Sequence, residues 1–108
     1  GTAAQAQPKL VSSTPGADAT VERPAKIELR FNETLVNQFS GVDLVMTDMP
    51  GMKMPPMKIA VDASVGADGK TLVAVPKSAL HTGTYKLDWH AVTADTHRVN
   101  GTFNFEVK

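Results

Sequence analysis

Four stretches of this chain alternate apolar and polar side chains residue by residue. Ile27, Leu29 and Phe31 alternate with Lys26, Glu28 and Arg30; Met57, Ile59, Val61 and Ala63 share one phase against Lys58 and Asp62. Tyr85, Leu87, Trp89 and Ala91 alternate with Lys86, Asp88 and His90, and Phe103, Phe105 and Val107 with Asn104, Glu106 and Lys108. Successive strand side chains point to opposite faces, so a period of two predicts strands with one buried face. Leu10 to Ser13, Val42 to Met46 and Thr71 to Val75 are shorter candidates, which gives six or seven strands. Pro15-Gly16, Pro50-Gly51, Asp68-Gly69, Thr82-Gly83 and Asn100-Gly101 punctuate them as turns. Asp68-Gly69 predicts a tight hairpin. No stretch keeps helical periodicity for long, and Glu33 to Gln38 is the one candidate helical turn. The fold class predicted is all-β, a sandwich or barrel with Greek-key connections.

A chain of 108 residues fits one domain that folds without disulfides or a structural metal. The predicted domain is 7–108, preceded by a flexible segment 1–6 in which Ala4-Gln5-Ala6 has the small-x-small form of a signal-peptidase site. Eleven basic residues balance 11 acidic ones and are scattered, so there is no electrostatic footprint for nucleic acid. The longest clean apolar run, Leu72 to Val75, is far short of the roughly 20 residues of a membrane helix. No membrane-embedded part is expected. Zero cysteine excludes disulfide frameworks, thiolate zinc sites, cysteine nucleophiles and the His2Cys blue-copper centre.

The methionines are the compositional anomaly. All five, Met46, Met49, Met52, Met54 and Met57, fall within 12 consecutive residues. Core filling would scatter them. Pro50, Gly51, Pro55 and Pro56 break both helix and ladder, so the middle of the segment is a surface loop. Thioether sulfur is a soft, uncharged ligand that suits Cu(I) and has no proton to lose. A methionine-rich loop can therefore gather three or four sulfurs around one ion. Met46 continues the inward phase of Val42 and Leu44, and Met57 that of Ile59, so both are equally candidates for the core. The competing function is a non-metal β-sandwich interaction module whose methionine loop docks a protein partner.

Asp95-Thr96-His97 is the second candidate. In an extended segment its outer members point to one side, and a carboxylate with an imidazole suits Cu(II). His90 falls on the outward phase of its strand and His81 in a turn, both as exposed side chains. No Ser, His and Asp grouping, phosphate loop or close carboxylate pair points to catalysis, so no enzyme is expected.

Four segments carry a family resemblance: Pro8 to Pro15, Pro24 to Glu33, Phe39-Ser40-Gly41 before the methionine loop, and Gly83 to Trp89 followed by Asp95-Thr96-His97. Together they resemble the CopC/PcoC family of periplasmic copper-resistance proteins, over Gln7 to Lys108. The resemblance implies a seven-stranded Greek-key β-barrel or sandwich of cupredoxin-like or immunoglobulin-like form. It also implies an exported copper carrier of the periplasm that exchanges copper with other copper-handling proteins of the periplasm or membrane. The Cu(I) site would lie at one end and the Cu(II) site at the other, in a monomer or a metal-bridged dimer. Two departures shift the expectation. Where the family's Cu(II) binders begin with a histidine, this sequence has Gln7 behind six further residues; Asp95 and His97 match the remaining ligands, and Glu33 an acidic position of the family. Where the family has Met-x-His-x-Pro-Met, this sequence has Met52-Lys53-Met54-Pro55-Pro56-Met57, with Met54 replacing the histidine. Arg98 stands where the family usually has proline after Asp-Thr-His. The two ligand changes predict an all-thioether Cu(I) carrier with a weakened Cu(II) site.

Overall fold

A computed structural model describes residues 9–108, so the segment 1–6 and Gln7 lie outside the described residues. Among the described residues nine strands form in chain order: β1 Leu10–Thr14, β2 Thr20–Val21, β3 Ile27–Phe31, β4 Gly41–Asp48, β5 Met57–Ile59, β6 Val61–Val65, β7 Thr71–Pro76, β8 Gly83–Val92 and β9 Arg98–Val107. They make two sheets, one ordered β1-β3-β7-β6 and the other β2-β9-β8-β4-β5. All pairings are antiparallel except the short β2 beside β9. β4 pairs with its chain neighbour β5 on one side and with the distant β8 on the other, and this second pairing is the Greek-key step. Of the two forms expected, the sandwich is the one observed; the sheets do not close into a barrel.

The alternation places the core where the sequence predicts it. Ile27, Leu29 and Phe31 of β3 and Leu72 and Ala74 of β7 face Val42, Leu44 and Met46 of β4, Tyr85, Leu87, Trp89 and Ala91 of β8 and Phe105 and Val107 of β9, all buried. Phe31 and Trp89 meet edge to face across the sheets, with ring centroids 5.1 Å apart. Such pairs add about 0.5–1.5 kcal/mol beyond their burial.

Five details differ from expectation. The described residues form nine strands where six or seven are expected, because Thr20–Val21 adds a two-residue strand and the Met57 to Ala63 stretch divides. Met57 to Ala63 is two strands: β5 joins one sheet, and β6, after Ala60, joins the other. Asn100-Gly101 is no turn but lies inside β9, where Gly101 opposes Trp89. A Cβ on Gly101 would come within 2.6 Å of Trp89 Cζ2, so the glycine is there to let the indole lie against the strand. Four residues, 67–70, connect Gly66 to Thr71 instead of a two-residue turn, and the Asp68 carboxylate accepts from the Lys70 and Thr71 N–H groups and the Thr71 hydroxyl. The helical turn falls later than expected, as a 3-10 turn at Asn37–Phe39. Among the described residues no helix is long and apolar enough to cross a membrane.

Strand β8 sets the geometry of function. Its first residues pair with the end of β4, from which the methionine loop leaves, and its last residue leads into Thr93 and the Asp95-Thr96-His97 loop. Ten strand residues span about 30 Å. The two candidate sites therefore stand at opposite poles.

Candidate metal centres

At the first pole, β4 and β5 form a hairpin in which Met46 and Met57 are direct cross-strand partners. At its tip, Met49-Pro50-Gly51-Met52 makes a tight turn closed by the Met52 N–H donating to the Met49 carbonyl at 3.1 Å. Gly51 has φ of +76°, the left-handed value required at the third position of a type II turn, and proline is favoured before it. The sequence thus folds Met49 and Met52 back to face one another as a bridged pair. Met54 follows on the returning arm.

The five sulfurs are not equivalent. Met46 is 2% exposed and belongs to the central core. Met49 and Met54 are half-buried and pack on the edge of that core, whereas Met52 and Met57 are 57% and 52% exposed. Met57 is thus placed outside the core although it continues the phase of Ile59, because it begins a three-residue edge strand. Four thioethers in one hairpin, anchored on the core side and open on the other, offer a soft, neutral donor set that can fit a Cu(I) cargo.

At the opposite pole, Asp95 and His97 come together through a turn rather than an extended segment, for Thr96 has φ of +70°. Asp95 Oδ2 lies 3.4 Å from His97 Nδ1, and both side chains are about half exposed. The Thr93 hydroxyl donates to Asp95 Oδ1, and this bond is the main reason the carboxyl is held below the usual carboxylate range, with His97 contributing less. A carboxylate oxygen and an imidazole nitrogen are donors for Cu(II), but among the described residues no third carboxylate or imidazole joins them, Glu33 included. Gln7 lies outside the described residues. Beside this loop, Val36, Phe39, Val92 and Val99 help line an open groove of about 520 Å³.

Among the described residues, neither remaining histidine joins Asp95 and His97. His90 is exposed on the outer face of β8 with its ring over Gly41, and His81 is exposed with its carbonyl accepting the Tyr85 hydroxyl at 2.6 Å. Sequence reasoning missed Thr93. Its signal was a hydroxyl residue two positions before the acid, a spacing suited to local side-chain hydrogen bonds.

The fold and its two loops define a class: a cupredoxin-like β-sandwich with thioether donors at one pole and a carboxylate–imidazole pair at the other. The CopC domain family matches residues 10–108, and the chain belongs to this family. Copper resistance protein C of Pseudomonas syringae pv. tomato is 56% identical over 105 residues, 97% of this chain and 83% of that protein. Copper resistance protein C of Xanthomonas campestris pv. juglandis is 53% identical, over 95% of this chain and 81% of its own length. The crystal structure of PcoC, a methionine-rich copper resistance protein from Escherichia coli, superposes with a TM-score of 0.85 at 46% identity. That match covers 95% of this chain and all of PcoC.

Proposed function

We propose that this protein is a copper carrier of the periplasm that holds Cu(I) as cargo on its methionine hairpin and passes it to other copper-handling proteins by ligand exchange. It catalyses no reaction. The observation that carries this reading is the type II turn, which brackets Pro50-Gly51 between two thioethers and leaves Met52 open to a donor or acceptor. The ligands are drawn from Met49, Met52, Met54 and Met57, while the burial of Met46 assigns it to packing. With no thiolate and no imidazole in the set, the protein gives up neither a proton nor a disulfide when the ion arrives or leaves. It works as a monomer.

A Cu(I) competition titration over about pH 5 to 8, the window in which imidazole titrates, tests this directly. An all-thioether site keeps its affinity nearly constant across that range, and X-ray absorption finds sulfur neighbours near the roughly 2.3 Å of metal–sulfur bonds. Only nitrogen and oxygen neighbours would refute it. Changing Met49, Met52 and Met54 together to leucine keeps the apolar bulk and abolishes Cu(I) binding. A partner contact that survives this change while wild type takes up no copper would favour a purely hydrophobic docking loop. A stoichiometry of one copper per two chains would replace the monomer by a metal-bridged dimer.

At the second pole, Asp95 and His97 hold Cu(II) weakly, as two side-chain donors should, and His97→Ala removes that binding. A tight Cu(II) complex of the whole chain would instead show that Gln7 or its neighbours complete the site.

A further inference from the structure

We infer that Thr93 is the positioning residue of the Asp95–His97 pair, its hydroxyl holding the Asp95 carboxylate and the His97 backbone so that the pair forms one preformed oxygen–nitrogen clamp for Cu(II). The inference rests on the Cu(II) reading of this pole.

Asp95 lies in an exposed turn, where a free carboxylate samples several rotamers at little cost. Here it does not swing freely. The Thr93 hydroxyl donates to Oδ1 and thereby leaves Oδ2 as the oxygen turned toward His97 Nδ1. The same hydroxyl oxygen accepts the His97 backbone N–H at 3.2 Å. One side chain therefore fixes the side chain of one candidate ligand and the backbone of the other.

Thr93 is itself held from several directions. It is 1% exposed, and its N–H donates to the His97 carbonyl at 2.9 Å. Its carbonyl accepts the Thr96 N–H at 2.8 Å, and it bridges to Leu35 immediately beyond β8. A branched side chain buried at the end of a ten-residue strand has little freedom at χ1. The order of the sandwich is thus transmitted through one hydroxyl to the Asp95 carboxylate and to the backbone that carries the His97 imidazole. Where only two side chains bind, such order matters more than in a saturated site, because each donor must be held in place before the metal arrives.

The test separates the hydroxyl from the methyl. Thr93→Ser and Thr93→Ala both lose the methyl, but only alanine loses the hydroxyl, and Thr93→Val deletes the hydroxyl while keeping volume. Cu(II) is titrated into wild type, these three variants and His97→Ala, with affinity read by competition and coordination by electron paramagnetic resonance. The serine variant should keep the wild-type spectrum and affinity, whereas alanine and valine should weaken binding about tenfold or more and alter the spectrum. His97-dependent binding in wild type that is equal in the serine, alanine and valine variants would overturn the positioning role alone. A wild-type spectrum indifferent to His97→Ala would overturn both the Cu(II) reading and this inference.

Discussion

Met46 and Met52 have the same side chain, six residues apart, yet the structure gives them opposite surroundings, and the proposed function gives them opposite work. Met46 is 2% exposed between the two sheets, whereas Met52 is 57% exposed at the hairpin tip. Truncating Met46 to alanine removes three buried groups beyond Cβ, worth about 2.5 kcal/mol at roughly 0.8 kcal/mol each. The cavity left among Leu44, Tyr85 and their neighbours raises the loss to about 3 kcal/mol, inside the 2–5 kcal/mol typical of such changes. For a domain of this size that lowers Tm by roughly 10 to 20 °C. Met46→Leu conserves volume and should cost less than about 1.5 kcal/mol, and Met52→Ala should lie within about 0.5 kcal/mol of wild type. Trp89, the single tryptophan and 9% exposed, reports unfolding in urea by fluorescence. Paired Cu(I) titrations complete the assay. Met46→Leu should bind copper as wild type does, and Met52→Ala should bind it more weakly. Loss of Cu(I) binding in Met46→Leu, with full binding in Met52→Ala, would refute the division between core and ligand.

Three further predictions concern the frame. Gly101→Ala brings a methyl within 2.6 Å of the Trp89 indole and should destabilise by about 1–3 kcal/mol. The Trp89 emission maximum should shift with it, and an unchanged maximum and urea midpoint would contradict the packing described. Tyr85→Phe deletes the 2.6 Å hydrogen bond to the His81 carbonyl and should cost about 1 kcal/mol in urea denaturation. Asp68 is held below its ordinary value of 3.8, chiefly by the Thr71 hydroxyl and then by the Lys70 N–H. Its stabilisation is therefore complete above that ordinary value and disappears as pH falls through the lower folded one. Wild type and Asp68→Asn should converge in stability toward strong acid and separate above it, as measured by thermal unfolding across the acid range.

Much of the frame was legible because burial on one face writes itself into a period of two. The inward sets of β3, β4 and β8 are those the alternation predicts. What it cannot carry is which sheet a strand joins. Ile59 and Val61 keep one phase while the chain crosses from one sheet to the other at Ala60, since an apolar side chain meets the same core from either side. Asn100-Gly101 misled for a different reason. Local turn chemistry and a close approach to an indole both ask for glycine, and only tertiary contact with Trp89 distinguishes them. At the methionine hairpin, Pro50-Gly51 stated the turn outright, but the separation of Met46 from Met57 depends on one being central and the other on an edge. The Asp95–His97 pair was visible as a motif. Thr93 was not, because its importance lies in a three-way hydrogen-bond pattern that a spacing only hints at.

The length of β8 has a consequence for occupancy. Two ions some 30 Å apart on opposite poles interact by only about 0.3 kcal/mol even for a monovalent and a divalent charge in unscreened water. At physiological salt, with a Debye length of about 8 Å, that coupling becomes negligible. Loading one pole should therefore leave the affinity of the other unchanged, and a titration of either metal should follow a simple one-site curve whether or not the other is present. Two other molecules could also touch the poles simultaneously without competing for space. On the proposed reading, the strand would act as an insulating spacer, keeping two oxidation states of one element on a single small molecule without electrostatic crosstalk.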